Sequence, residues 1–228
     1  MLDLSLSQNQ ILLGGLLGDS SCSLKDCRID FSHSEKQYDY LKWKYGHFDV
    51  NTVTDIKPQI HRWHTKEYLA YRFTYRKLGK NRHLDDDLFN FLRKNLYSND
   101  GRKKISLKYL NELTPLAIAV WWMDDGSMCL ANKNRYGKLS TNGFNHEEHI
   151  LIQKYFKEKY DIDMHIKQEK NTYFMRINVS NMKKLIKLIY LYVCEIPSMT
   201  YKINLNYKNK GCIGKDFLPI YNYIIEHQ

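Results

Sequence analysis

Two apolar segments of this chain each have the pattern of a helix of about three turns that ends in an acidic residue. The first is residues 10–19 (QILLGGLLGD) and the second is residues 116–126 (LAIAVWWMDDG). Another pair of similar segments follows in the same order, KISLKY at 104–109 and KINLNY at 202–207. Because two similarities recur in one order at nearly equal offsets, they indicate an internal duplication.

The duplication predicts two domains, residues 1–113 and 114–228 of the 228-residue chain. No Gly/Ser-rich linker separates them, so we expect the halves to pack directly. Hydrophobic periodicity predicts the same αββαββα order in both halves, which is an α+β fold with antiparallel sheets. The segments predicted after the two acidic helices are strands 21–24, 27–33, 50–60, 67–76, 128–131, 138–143, 162–168 and 173–179, and helices 34–45, 84–96, 145–160 and 180–193.

Capping patterns support three of the predicted helix starts. Thr114 followed by Pro115 is typical of the first turn of a helix. Asn145 followed three residues later by Glu148 predicts a capping box. Ser180 or Asn181 is the expected cap of the last predicted helix.

Composition narrows the class of protein. The net charge of +10 is spread along the chain and favours a polyanionic partner, although a merely basic protein is the alternative. The five cysteines are odd in number and form no C-x-x-C pair, which argues against a disulfide framework or a zinc ribbon and for reduced thiols inside a cell. Neither a Walker lysine loop nor a Gly-x-Gly-x-x-Gly motif occurs.

Membrane attachment is not expected. The longest apolar stretch near the N-terminus is much shorter than the roughly 20 residues that span a bilayer, and no signal peptide precedes it. Lys, Asn, Ile and Tyr are abundant, and their A/T-rich codons favour a mitochondrial or chloroplast gene, with the bacterial cytoplasm as the alternative.

Asp19 and Asp125 occupy an unfavourable place for an acid, because the C-terminal end of a helix carries the negative pole of its dipole. Two such ends side by side would also repel each other. A divalent cation between them removes both problems, since carboxylates and unpaired terminal carbonyls are the oxygen ligands that Mg²⁺ prefers. Small residues in both segments would let the two helices approach closely, namely Gly14, Gly15, Gly18, Ala117 and Ala119.

The two apolar segments resemble the LAGLIDADG motif of homing endonucleases. Residues 12–20 read LLGGLLGDS and residues 118–126 read IAVWWMDDG, so the first copy has Ser20 in place of the motif's last glycine. The resemblance implies the single-chain, monomeric form of the family. In that form two antiparallel sheets make a DNA-binding saddle, and the motif helices pack at a pseudo-twofold axis between the halves.

The resemblance also implies a chemistry, cleavage of both strands of a long DNA target by an intron-encoded enzyme. Asp19 and Asp125 would bind two or three Mg²⁺ ions, with the carbonyls of Gly18 and Asp124 as further ligands. Mn²⁺ would substitute, whereas Ca²⁺ would bind without supporting cleavage. The KISLKY and KINLNY pair nominates Lys104 and Lys202 as catalytic lysines, with Lys103 as a close rival to Lys104.

Strand alternation divides each predicted sheet into an apolar face and a polar face. The polar faces are basic as a set, and their Arg, Lys and Asn side chains carry donors that can read base edges. On the saddle that the resemblance implies, the DNA-facing residues would be Arg28, Asp30, Ser32, Arg72, Thr74, Arg76, Lys138, Ser140, Asn142, His165, Lys167, Arg176 and Asn178.

Two other functions fit the same fold. One is an RNA-binding intron maturase with weak or lost cleavage, whose partner would be its own intron RNA. The other is a non-catalytic DNA-binding regulator, which we would expect to lack the two acids. Retention of Asp19, Asp125 and the lysines favours the endonuclease.

Overall fold

The structure is a computed structural model, and it describes residues 4–63, 66–76, 87–131 and 134–204. Part of the KINLNY segment and the start of the predicted helix 84–96 lie outside these residues. The first half contains α1 (Leu6–Leu17), β1 (Ser21–Ser23), β2 (Arg28–Ser34), α2 (Tyr38–Gly46), β3 (Lys57–Trp63), β4 (Lys66–Arg76), α3 (Asp87–Asn95) and α4 (Leu107–Asn111). The second half contains α5 (Pro115–Asp125), β5 (Gly126–Ala131), β6 (Asn134–Leu139), α6 (His146–Tyr160), β7 (His165–Glu169), β8 (Thr172–Asn178), α7 (Val179–Cys194) and a 3₁₀ segment (Pro197–Ile203).

Each half builds one four-stranded antiparallel sheet with the same topology. The strand order is β1-β2-β4-β3 in the first sheet and β5-β6-β8-β7 in the second. β2 has strict alternation, with Ile29, Phe31 and His33 buried and the residues between them partly exposed. The predicted α+β fold and its duplication are therefore confirmed.

The motif helices α1 and α5 form the contact between the halves. A Cβ at Gly14 would overlap the carbonyl oxygen of Ala117, and a Cβ at Gly18 would overlap the Cβ of Asp124. Glycine is therefore needed at both places for the helices to approach this closely. At the other end of the pair, the Gln10 side chain donates to the carbonyl of Glu112 at 3.0 Å and accepts from the amide of Thr114 at 2.8 Å. The predicted close approach is confirmed.

Several predicted boundaries were wrong. The first residues of the predicted strand 50–60 form a turn instead, because Asp49 accepts hydrogen bonds from the amides of Asn51 and Thr52. The strand predicted at 138–143 is β6, which ends at Leu139. The short helix α4 was not predicted; Ser106 caps it by accepting from the amide of Tyr109.

The caps of the second half are also clear. Asn145 and Glu148 form the predicted capping box at the start of α6. The cap of α7 is Asn178, whose side chain accepts from the amide of Asn181, and not Ser180 or Asn181 as predicted.

In the part of the chain that the structure describes, none of the helices combines the length and the apolar character that crossing a bilayer requires.

Candidate active site and DNA-facing surface

The two motif helices bring their acidic ends together at the contact between the halves. α1 ends at Leu17 with Gly18 as its cap, so Asp19 follows the helix, whereas Asp125 is the last residue of α5. Burial raises the pKa of the Asp125 carboxyl to about 7, and the nearby charges of Asp124 and Asp19 add to the shift. The pKa of Asp19 is raised for the same reasons, by burial first and then by Asp124.

A lysine stands beside each acid in an equivalent way. Lys103 Nζ donates to the carbonyl of Ser20 at 3.0 Å, and Lys202 Nζ donates to the carbonyl of Gly126 at 2.7 Å. Ser20 and Gly126 directly follow the two acids in sequence, so the pairs are related by the duplication. Burial lowers the pKa of both lysines, while the nearby acids act in the opposite sense and favour the charged ammonium.

Of the two rival lysines, Lys103 and not Lys104 is the one whose amine reaches this cluster. Lys103 forms a β-bridge with Tyr97, and Ile105 is buried. In extended backbone, residues two apart share a face, so Lys104 points the other way. The backbone amide of Lys104 donates to the Leu96 carbonyl. The alignment of KISLKY with KINLNY matched Lys104 to Lys202. However, Lys202 lies in a 3₁₀ segment, whereas Lys103 lies at a β-bridge, and neighbouring side chains point in different directions in these two kinds of backbone.

The sequence analysis missed Tyr40, Lys44 and His33, whose side chains form one network with Asp124. The Asp124 carboxylate is buried and accepts from Lys44 Nζ at 2.8 Å and from the Tyr40 hydroxyl at 2.9 Å. Lys44 Nζ also donates to Nε2 of His33 at 3.0 Å. Burial and the adjacent Lys44 charge lower the pKa of His33 to about 3, so the imidazole is neutral. No motif spacing links β2, α2 and α5, so only the tertiary structure reveals this network.

The donor set near Asp19 and Asp125 fits a hard divalent cation. The side chain of Asp19 is 45% exposed, and its nearest basic group, His33 Nδ1, lies at 3.8 Å, too far for a hydrogen bond. Asp19, His33 and Asp124 place ligand atoms within 4.8 Å of one another. The ammonium of Lys44 binds both Asp124 and His33, so Asp19 is the carboxylate of these three that remains open to an ion. Asp125 lies outside that group of three, and burial together with the charges of Asp124 and Asp19 raises its pKa.

The two predicted carbonyl ligands differ in their contacts. The Asp124 carbonyl accepts a hydrogen bond from Lys202 Nζ at 3.2 Å. A carbonyl oxygen has two lone pairs, so this bond still leaves one for a cation. The Gly18 carbonyl belongs to the last turn of α1, where carbonyls have no partner within the helix.

The first sheet presents the predicted basic face. Arg28, Asp30 and Ser32 of β2 pair across the ladder with Arg76, Thr74 and Arg72 of β4, so all six share one face. Asp30 Oδ1 forms an ion pair with Arg72 at 2.6 Å, and Arg28 lies 3.4 Å from Oδ2.

Thr74 departs from the prediction, because it is buried and donates to Asp30 at 2.6 Å. Its hydroxyl therefore positions the Asp30 carboxylate, and Thr74 is not itself exposed. The groove beside it is lined by Thr54, Asp55, Lys57, Pro58, Gln59, Arg72, Thr74 and Arg76.

The second sheet repeats the arrangement with other residues. Arg176 lies opposite both Lys138 and His165, and it stacks over the Tyr136 ring at 4.3 Å. Lys138 forms an ion pair with Glu169 at 2.7 Å. These side chains present a basic and aromatic surface next to the acidic cluster.

Three predicted residues of this half, Ser140, Asn142 and Asn178, lie at or beyond strand ends. Ser140 and Asn142 follow β6, and Asn142 donates to Thr172 at 2.8 Å. Asn178 is exposed, and its side-chain oxygen accepts the hydrogen bond that caps α7, so its predicted contact with a base would use Nδ2. Lys167 is exposed on β7.

Comparison with known proteins agrees with the geometry. The model of the LAGLIDADG DNA endonuclease family matches residues 9–185. The homing endonuclease I-WcaI, solved bound to its DNA recognition sequence, has a TM-score of 0.75 at 25% identity and covers 90% of this chain and 89% of its own.

Curated relatives include proteins of other names. The cytochrome b mRNA maturase bI2 of Debaryomyces hansenii is 30% identical over 200 residues, covering 85% of this chain and 72% of that protein. Protein RecA of Mycolicibacterium flavescens is 25% identical over 232 residues, or 94% of this chain, and the chain spans only 50% of the length of that relative. The match to the family model extends over most of the chain and includes both acidic helix ends. The chain therefore belongs to the LAGLIDADG DNA endonuclease family.

Proposed function

We propose that the chain is a site-specific homing endonuclease that makes metal-dependent double-strand breaks in a long DNA target and is encoded by an intron. The observation that carries the proposal is the duplicated acid–lysine pair. Asp19 and Asp125 lie together at the contact between the halves, and the amines of Lys103 and Lys202 bind the carbonyls that follow the two acids. One such pair for each DNA strand is what a double-strand cut requires.

Each part of the site would have a separate task in phosphodiester hydrolysis. The carboxylates of Asp19 and Asp125, with the carbonyls of Gly18 and Asp124, would hold the cations. Divalent ions of the Mg²⁺ or Mn²⁺ type would supply Lewis-acid stabilisation of the attacking and leaving oxygens. Hard oxygen donors suit Mg²⁺, Mn²⁺ and Ca²⁺.

The two lysines would act on the phosphate itself. During attack on phosphorus, negative charge grows on the non-bridging oxygens, and a fixed ammonium stabilises that charge more strongly than it stabilises the bound substrate. Lys202 is buried and Lys103 is partly buried, which limits their motion and strengthens their electrostatic effect.

The two basic sheet faces would hold the duplex. The network of Arg28, Asp30 and Arg72 fixes a guanidinium before DNA arrives, and Arg176 stacked on Tyr136 does the same in the second sheet. Bound arginines with restricted motion can make bidentate contacts with guanine at a lower entropic cost. The pseudo-twofold arrangement of the halves matches the antiparallel strands of DNA.

The second candidate function is that of an intron maturase. The similarity to the bI2 maturases of Debaryomyces hansenii and Saccharomyces cerevisiae, 30% identical in both, favours it. In that case the chain would bind intron RNA, and cutting would be weak or lost. The complete acid and lysine set is the reason for preferring the nuclease. We also propose a monomer in an organelle, on the grounds of the duplication and the A/T-rich coding.

Selection of cut sites from a randomised DNA library in Mg²⁺, with sequencing of both ends of every break, tests the proposed function. We expect one long, nearly asymmetric site to be enriched, with the two strands cut a few bases apart to leave short 3′ overhangs. Breaks scattered without sequence preference, or no breaks together with tight binding of intron RNA, would contradict the endonuclease and favour the alternative.

A further inference from the structure

The two catalytic acids are held in place by different means. Asp125 belongs to α5, and the helical hydrogen bonding continues past it, since the Gly126 amide donates to the Trp122 carbonyl. Asp19 lies beyond the end of α1 in a turn. Its backbone amide donates across the contact between the halves to Oδ2 of Asp124 at 3.2 Å. The amides on either side of it, those of Gly18 and Ser20, donate to the carbonyls of Gly14 and Gly15, so the Asp19 amide is the one of the three that a side chain from the other half accepts.

That side chain is itself fixed by a buried lysine. Lys44 Nζ donates to Oδ1 of Asp124 at 2.8 Å and to Oδ2 at 3.2 Å. The side chains of Lys44 and Asp124 are both fully buried. A buried carboxylate that loses its partner is strongly destabilising, so the lysine is the partner that the Asp124 side chain needs there. Lys44 thus determines the group that accepts the Asp19 amide.

Among the described residues, Asp125 has no equivalent carboxylate and lysine beside its backbone at the places that the duplication relates to Asp124 and His33. Gly18 is the residue of the first motif that matches Asp124 of the second. His33 lies two residues after Phe31, which pairs with Phe73; in the same way Thr141 lies two residues after Leu139, which pairs with Met175. The Thr141 hydroxyl shares a hydrogen bond with Nε2 of His149 at 2.7 Å. The charged arrangement serves the first half only.

We propose that Lys44 and the Asp124 carboxylate form a buried support that positions Asp19, so that the two active sites of the enzyme are not equivalent. Both are positioning residues: Lys44 neutralises Asp124, and Asp124 holds the Asp19 amide. The inference rests on the proposed function, because it assigns the support to the nuclease site. Its consequence is that loss of the support slows one strand more than the other.

A matched pair of variants separates this role from mere stability. Both carry Lys44→Met, which removes the ammonium. One also carries Asp124→Asn, which keeps an oxygen for the Asp19 amide, and the other carries Asp124→Leu, which has a similar shape and no acceptor. Each pair of substitutions removes one positive and one negative charge, so the net charge of the site does not change. The Tyr40 hydroxyl keeps a second acceptor, the Val120 carbonyl at 3.3 Å.

Two measurements are needed. The first is amide hydrogen exchange of Asp19 in the metal-free protein, where the leucine variant is expected to exchange at least tenfold faster than the asparagine variant. The second is single-turnover cutting of each labelled strand in Mg²⁺. The strand that Lys103→Met slows is expected to be cut on the order of tenfold to a hundredfold more slowly by the leucine variant than by the asparagine variant, because small displacements of a reacting group have effects of this size.

The outcomes separate the possibilities. Equal exchange and equal strand ratios in the two folded variants would overturn the proposal, as would slowing of the strand that depends on Lys202. If the leucine variant unfolds below the assay temperature, the Lys44→Met/Asp124→Ala variant takes its place, because the alanine side chain also lacks an acceptor and is smaller than leucine. If the wild-type protein cuts no DNA, the proposed function fails, and the exchange measurement alone still decides whether the support holds Asp19.

Discussion

Asparagine at position 19 or 125 is expected to reduce cutting of the selected DNA site by on the order of a thousandfold, the upper end of what loss of one preorganised electrostatic group costs. The substitution removes a charged ligand from a site whose chemistry depends on bound cations. The structure adds a second expectation about stability. Because burial disfavours the ionised Asp125 carboxylate and the charges of Asp124 and Asp19 repel it, Asp125→Asn should raise the melting temperature of the metal-free protein.

The sign of that stability change depends on pH. The pKa of Asp125 is raised to about 7 in the folded protein, so the ionised form is disfavoured by folding. Its cost is absent below the pKa of the unfolded chain and is complete above pH 7. The gain from Asp125→Asn should therefore be largest at pH 8 and small at pH 4. Single-turnover rates and thermal melting by circular dichroism check both expectations. If the variants lose activity only to the extent that they unfold, the result would contradict a direct role of Asp19 and Asp125 in cleavage.

Lys103→Met and Lys202→Met are expected to slow cutting by on the order of a hundredfold, each mainly on one strand, with little change in affinity. Each amine lies beside a different acid, and a charge that acts on the growing phosphorane charge affects the rate more than binding. The measurement is single-turnover nicking of each labelled strand, together with binding in Ca²⁺.

Lys104→Met is the control for the first half, since its neighbour Lys103 supplies the amine near the acids. We expect its rates to stay within about threefold of the wild type, less than the loss of one electrostatic donor causes. A slow Lys104 variant beside a normal Lys103 variant would reverse the assignment. Normal rates for both Lys103 and Lys202 variants would mean that the repeated lysines reflect packing or ancestry.

The parts of the fold that the sequence predicted are those encoded by local pattern. The acidic helix ends and the alternation of β2 depend on residues a few positions apart, so they can be read without knowledge of the rest of the fold. The duplication follows from the recurrence of such local patterns in one order. The close contact between the two helices could also be predicted, because small residues such as Gly14, Gly18 and Ala117 leave space for a second helix. The capping box of Asn145 and Glu148 is equally local.

The parts that could not be predicted depend on contacts between distant segments. Lys44 is an ordinary helix residue in the sequence, and only the packing of α2 against α5 buries it beside Asp124. The choice between Lys103 and Lys104 turns on whether the backbone there is extended or 3₁₀. The capping of α7 by Asn178 was not predicted, because strand alternation takes no account of the helix that begins directly after it.

The measurement that tests the central claim most directly uses the selected site as a duplex with both strands labelled, in Mg²⁺, in Ca²⁺ and in excess EDTA. If Asp19 and Asp125 hold the cations that cleavage requires, both strands are cut in Mg²⁺, the complex forms without cutting in Ca²⁺, and no cut occurs in EDTA. Efficient cutting of either strand in excess EDTA would contradict the account.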